Sequence, residues 1–313
     1  MGTRLTSHVD DPDAKRPRPE SLPVVVGIDG SSSAIEAARW AAREAARRRT
    51  TLQLISAFGW PETRHLGDPG FGGHYRETML KGTRAEVSAA AEAAAEAAPG
   101  VEISELVVDG FPVPQLAAAS SRAGLVVLGD RGLGGFTTLL VGSVAIGLAA
   151  RAVCPVVVVR GERPSDAGPV VVGIDGSQIS EAALAFAFEA AATRKVPLIA
   201  VHTWTDYVLD AAVAPLLDWD AIEADEHRLL AERLAGWIGK YPDVEVRRVV
   251  LRDRPAHALI EQATVTAAQL VVVGSHGRGG MVGLVLGSVS HAVLHHSPCP
   301  VAVVRTDPSA AAL

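Results

Sequence analysis

The sequence predicts an α/β protein of two tandem, Rossmann-like doubly wound domains, and three observations lead to that reading. Its 313 residues are about twice an ordinary domain. The chain also repeats itself: VVVGIDGS stands at 24–31 and again at 170–177, and CPVVVVR at 154–160 returns as CPVAVVR at 299–305. A near-constant offset of 145 or 146 residues is a duplicated domain, being far too long a period for a solenoid. Finally, within each copy, short unbroken apolar runs alternate with helical patterns. Such runs mark strands buried on both faces, and strand–helix alternation gives right-handed crossovers onto a parallel sheet.

In the first repeat, strands are expected near 23–28, 51–57, 103–109, 124–129 and 155–160, with helices near 32–48, 73–98, 113–122 and 142–151. In the second, strands fall near 169–174, 197–203, 245–251, 269–274 and 300–305, with helices near 178–194, 217–239, 254–266 and 287–296. The polar, proline-bearing stretch 1–20 reads as a flexible tail without a signal peptide. The domains are expected over 21–161 and 168–306, joined by GERPSDAG. The Gly/Pro/His-rich stretch from Trp60 to Tyr75 is expected to be a mobile loop.

Composition narrows the function. Apolar residues make up 48% of the chain and charged residues 20%, a globular balance. The net charge of −6 argues against a nucleic-acid or membrane-surface partner. Residues 132–150 carry no charge and are long enough to span a bilayer. Five glycines speak against that, as do Arg278 and His291 in the corresponding stretch of the second repeat. Cys154 and Cys299 occupy equivalent places, so they read as small buried hydrophobes before each last strand, in a cytoplasmic, reducing setting.

The chemistry-bearing pattern is also duplicated. Gly129-x-x-Gly132, nine residues, then Gly142-Ser143 recurs as Gly274-x-x-Gly277, nine residues, then Gly287-Ser288. Each begins at the C-terminal end of a predicted strand, where open α/β sheets bind ligands. Glycines let backbone N–H groups close on a ligand, and Gly-Ser falls at a helix start that favours phosphate. Gly134, Gly135, Arg131 and, in the second loop, Ser275, His276, Arg278, Gly279 and Gly280 share these segments. Gly27-Ile28-Asp29 and Gly173-Ile174-Asp175 end the first strand of each repeat on the same sheet edge. A carboxylate there accepts ribose hydroxyls, holds a Mg²⁺ that bridges phosphates, or caps the next helix, a role open also to Ser31 and Ser177. The chain has neither the lysine-bearing P-loop nor a G-x-G-x-x-G after either first strand.

On these residues the chain resembles the universal stress protein family in its tandem form, over about 22–306. The resemblance implies a five-stranded parallel sheet of order 3-2-1-4-5 with helices on both faces in each domain, and ATP as ligand, with Mg²⁺ at Asp29 and Asp175. It implies that Gly129, Gly132, Gly142 and Ser143, and Gly274, Gly277, Gly287 and Ser288, hold phosphates. It also implies that Ala57, and Thr203 with Asp206, border the adenine. Family members pair their last strands into dimers. Here 156–160 and 301–305 are exposed edges expected to pair with each other, across a homodimer, or both.

Three functions follow as expectations. The first is an ATP-binding stress-response regulator or sensor, acting on a protein partner that the sequence does not name, with little or no turnover because no general base stands out. The second is a slow ATPase. The third is a dimerising interaction module with degenerate sites, against which the two intact motifs argue. His291, His295 and His296 are read as a solvated helix end, and Arg47–Arg49 as a solvated last turn. Asp130 and Arg131 cancel, whereas the second loop pairs neutral Ser275 with Arg278 and a His276 that adds further positive charge. The second site is therefore expected to hold triphosphate at least as tightly as the first; titrating Gly129→Ala against Gly274→Ala checks this, and tighter binding by the first site alone contradicts it.

Overall fold

The computed structural model describes residues 22–59, 69–132, 141–161, 167–204, 218–277 and 286–305, with backbone only for 69–75. The first repeat runs β1 (Val24–Gly27), α1 (Ser32–Arg48), β2 (Leu52–Phe58), α2 (Pro69–Ala97), β3 (Ile103–Asp109), α3 (Pro112–Ser120), β4 (Leu125–Gly129), α4 (Ser143–Ala149), β5 (Val156–Val159). The second runs β6 (Val170–Ile174), α5 (Gln178–Arg194), β7 (Leu198–Trp204), α6 (Trp219–Lys240), β8 (Val246–Arg252), α7 (Pro255–Val265), β9 (Leu270–Gly274), α8 (Ser288–His296), β10 (Val301–Val304). Every expected element is present. The Trp60–Tyr75 stretch is shorter as a loop than expected, because α2 already begins at Pro69, where a proline is tolerated in the first helical turn; residues 60–68 lie outside the described residues.

All ten strands form one sheet in the order β3-β2-β1-β4-β5-β10-β9-β6-β7-β8. Each half has the 3-2-1-4-5 order, and neighbours within a half are parallel. The halves meet where β10 pairs antiparallel with β5, Val158 opposite Val301 and Val156 opposite Val303. β5 and β10 are wholly valine and alanine and wholly buried, so neither edge is open; the sheet ends at β3 and β8.

Helices cover both faces, and each core layer runs through both repeats. One joins Ala41, Leu52 and Leu234 with Phe188, under α1, α2, α5 and α6. The other joins Leu116, Leu148, Leu259 and Leu294, under α3, α4, α7 and α8. No helix among the described residues is long and apolar enough to cross a membrane. Cys154 and Cys299 are unpaired and buried, as expected, and burial pushes their thiols up to about 12 and about 11.

Arg47–Arg49 does not behave as a solvated turn. Glu44, one turn earlier, is 1% exposed. It accepts from Arg48 Nε at 2.7 Å and, across the repeat boundary, from Arg194 Nη2 at 2.6 Å. Arg48 in turn lies 3.5 Å from Glu189, and each guanidinium lies over an aromatic ring of the opposite helix, Arg48 over Phe186 and Arg194 over Trp40. Arg48, expected in a solvated last turn, instead packs across the α1–α5 interface; Arg49 is exposed as expected.

Burial raises the Glu44 carboxyl, but Arg194, Arg48 and Arg47 outweigh it and hold the pKa below its ordinary 4.5. A depressed folded value means stabilisation present above the unfolded pKa and lost as pH falls through the folded one. Glu44→Gln leaves Arg194 buried without its carboxylate, while Arg48 keeps Glu189, and is expected to cost about 3 kcal/mol in urea unfolding at pH 7. The loss should shrink at acid pH; an unchanged midpoint at pH 7 contradicts the account.

Candidate functional site

Each half has a cleft at the C-terminal ends of its strands, of about 660 Å³ in the first repeat and about 480 Å³ in the second. Their floors form for the same local reason. After β1 and β6 the chain turns through Gly30 and Gly176, both at φ +82, a conformation that favours glycine. Ser31 then caps α1 by accepting from Ala34 N–H, and Ser177 caps α5 by accepting from Ser180 N–H. The aspartates are therefore not the caps. Asp29 Oδ1 accepts from the Ser31 amide (3.0 Å) and hydroxyl (2.6 Å). Asp175 Oδ1 does the same for Ser177 (2.9 and 2.7 Å). The second carboxylate oxygen of each aims at the glycine loop: a methyl on Gly132 would stand 2.6 Å from Asp29 Oδ2, and one on Gly277 2.8 Å from Asp175 Oδ2.

The glycine loops close over these carboxylates in the same way. Gly142 N–H donates to Asp130 O and Gly287 N–H to Ser275 O, both at 2.8 Å. Gly142 and Gly287 are the N-caps of α4 and α8 and have no side chain to satisfy the first turn. Among the described residues, a methyl on Gly142 would meet nothing nearer than Asp130 O at 3.7 Å, an ordinary contact, so no described neighbour requires a glycine there.

In the first repeat Gly27, Asp29, Ala57 and Gly129 line the cleft together with Arg131, Gly132, Gly142 and Ser143. In the second, Gly173, Asp175, Thr203 and Gly274 line it with His276, Gly277, Gly287 and Ser288. Gly134, Gly135, Asp206, Arg278, Gly279 and Gly280 lie outside the described residues.

Ser275 does not belong to the lining. It is 2% exposed, its N–H donates to Val304 O, and its hydroxyl lies 3.1 Å from His276 Nδ1. His276 supplies no positive charge near neutral pH, because burial and the nearby Arg305 push its pKa down. The histidine cluster is not a solvated helix end either. His291 and His296 are exposed, but His295 is buried and its Nδ1 accepts from Val141 N–H at 3.3 Å, in the first repeat's cleft wall.

Sequence reading missed Ser56 and His202, equivalent residues within β2 and β7 that line their clefts. His202 is 5% exposed, donates from Nδ1 to Ile174 O at 2.7 Å, and places Nε2 3.0 Å from Glu226. The signal was a lone histidine in an otherwise apolar central strand. For a metal, each cleft offers one aspartate oxygen aimed at the loop, which suits Mg²⁺ only if phosphates and water complete its shell. Asp253, just before α7, and His257 and Glu261 on it bring their ligand atoms within 4.8 Å of one another, but none of them lines either cleft.

Gly142→Val, which places a side chain at the lining of the first cleft, is expected to leave the thermal midpoint within about 2 °C of the parent while obstructing that cleft. A large drop in stability would show that Gly142 is required for packing instead.

The comparisons agree with this geometry. The model of the Universal stress protein family matches residues 22–160 and again 167–305. Universal stress protein Rv2005c of Mycobacterium tuberculosis is 43% identical over 292 residues, covering 90% of this chain and 96% of its own. Universal stress protein Rv2623 of the same organism is 41% identical over 300 residues, 91% of this chain and 97% of its own. Among solved structures, a universal stress protein from Archaeoglobus fulgidus superposes with a TM-score of 0.68 at 20% identity, over 93% of this chain and 98% of that one. The chain therefore belongs to the Universal stress protein family, as two tandem domains, and shares that family's role in the stress response.

Proposed function

We propose that the chain binds ATP, one molecule in each cleft, and acts as a nucleotide-dependent regulator or sensor with little or no turnover. The observation that carries this reading is the repeated construction. Both clefts sit outside the carboxyl ends of the strands, and both set an aspartate oxygen against a G-x-x-G loop closed by a Gly-Ser helix start. The phosphates would lie between Gly132 and Gly142, or Gly277 and Gly287. The apolar end of each cleft, by Ala57 and Thr203, would take the base. Asp29 and Asp175 would hold the ribose or a Mg²⁺ on the phosphates; the ion supplies charge neutralisation when bound.

With both strand ends of the repeats consumed internally, homodimerisation through sheet edges would use β3 or β8. Calorimetric titration of ATP with Mg²⁺ tests the reading: two sites per chain are expected for the parent and one for Gly142→Val. Absence of binding to the parent rejects it.

A further inference from the structure

The first cleft is not completed by the first repeat alone. Its wall includes Val141, 6% exposed, immediately before Gly142, the N-cap of α4. A buried backbone N–H needs an acceptor. Val141 N–H finds one in His295 Nδ1 at 3.3 Å, a side chain of the other repeat.

Local sequence does little to fix this wall. Gly142 makes no side-chain cap bond, and glycine restricts its own backbone least of all residues. Ser143, Val144 and Ala145 open α4 on the cleft, with first-turn N–H groups that have no partner within the helix. How they face the cleft depends on how the peptides of Val141 and Gly142 are held. Gly142 N–H is held from within the repeat, by Asp130 O at 2.8 Å. Val141 N–H is held from outside it.

The side that reaches across is itself braced. His295 is 7% exposed, and its ring centre lies 4.5 Å from that of His291, one turn earlier. The carbonyl of its neighbour Leu294 accepts from the Arg160 guanidinium, which ties the last turn of α8 to the first repeat. α8 thus serves both clefts. Ser288, Val289 and Ser290 at its start line the second, and His295 near its end supports the first. The reverse contact is missing among the described residues. The equivalents of His295 and Val141 are Ala150 and Leu286, and the methyl of Ala150 accepts no hydrogen bond.

We propose that His295 is a positioning residue for the first nucleotide site. By accepting the Val141 N–H it sets the phosphate-facing start of α4, so the first site is assembled by both repeats. The second takes no such contact from the first repeat. This rests on the nucleotide reading above and deepens it.

Titrations of the full chain with ATP and Mg²⁺, one cleft obstructed at a time, test it. Gly277→Val places a side chain at the lining of the second cleft and leaves the first to be read alone; Gly142→Val does the converse. Three changes separate the acceptor from the bulk of the ring. His295→Phe keeps a ring without an acceptor, His295→Gln sets an amide oxygen near the place of Nε2, and His295→Asn sets one near the place of Nδ1. In the Gly277→Val background, His295→Phe and His295→Gln are expected to weaken ATP roughly fivefold, the worth of one modest hydrogen bond, and His295→Asn to stay within about twofold. In the Gly142→Val background all three should stay within about twofold. Deuterium exchange at the Val141 amide should rise with His295→Phe and His295→Gln and not with His295→Asn. Unchanged first-site affinity in His295→Phe and His295→Gln, an equal loss in His295→Asn, or equal weakening of both sites assigns His295 to the fold alone; each overturns the proposal and leaves nucleotide binding standing. No ATP bound by the parent overturns the nucleotide reading and this inference with it.

Discussion

The antiparallel pairing of β5 with β10 is the contact on which the rest of the molecule depends. A duplicated α/β domain leaves one apolar edge strand in each copy, and this chain joins the two edges to each other. The join converts two five-stranded sheets into one of ten strands with continuous core layers on both faces. It also produces reciprocal contacts. Arg160, just past β5, donates to the Leu294 carbonyl in α8, and Arg305, just past β10, donates to the Ala150 carbonyl at the end of α4. Arg48 and Arg194 exchange partners across α1 and α5 in the same paired manner.

That junction also brings the two clefts into one structure. The helices that begin at the glycine loops, α4 and α8, end against the opposite repeat. His295, in the last turn of α8, bonds to the amide of Val141 beside Gly142. Its counterpart in the first repeat is Ala150, which has no side chain to reciprocate. The pseudo-symmetry is thus close in backbone and broken in side chains, at His295 and at Glu86 and Arg233, which cover Gly30 and Gly176.

The readability of this molecule followed the range of the forces involved. Buried parallel strands need unbroken apolar runs, which placed the eight inner strands within a residue or two; β3 and β8, half-exposed at the sheet edges, carry charged residues and were placed by the repeat and their valine runs, and the repeat offset supplied the domain count. The glycine loops and Asp29 and Asp175 stood out in the sequence by their spacing and duplication, and the structure brings them together at the strand ends, Gly129 close against Ser33 and Gly132 close against Asp29. What escaped was set by tertiary packing. His295 and Arg48 look like solvated helix ends until the second repeat covers them. Ser275 looks like a loop residue until Val304 and His276 enclose it. Glu86 and Arg233 lie far in sequence from the glycines they cover, and only the structure shows that they stand at equivalent places in the two repeats.

The central claim is that the duplicated clefts are working nucleotide sites, placed by a sheet that the two repeats share. Denaturing the freshly purified chain and chromatographing what it releases tests that most directly. The account predicts up to two adenine nucleotides per chain, predominantly the triphosphate. Release of none, together with a flat ATP titration of the refilled protein in Mg²⁺, would contradict it.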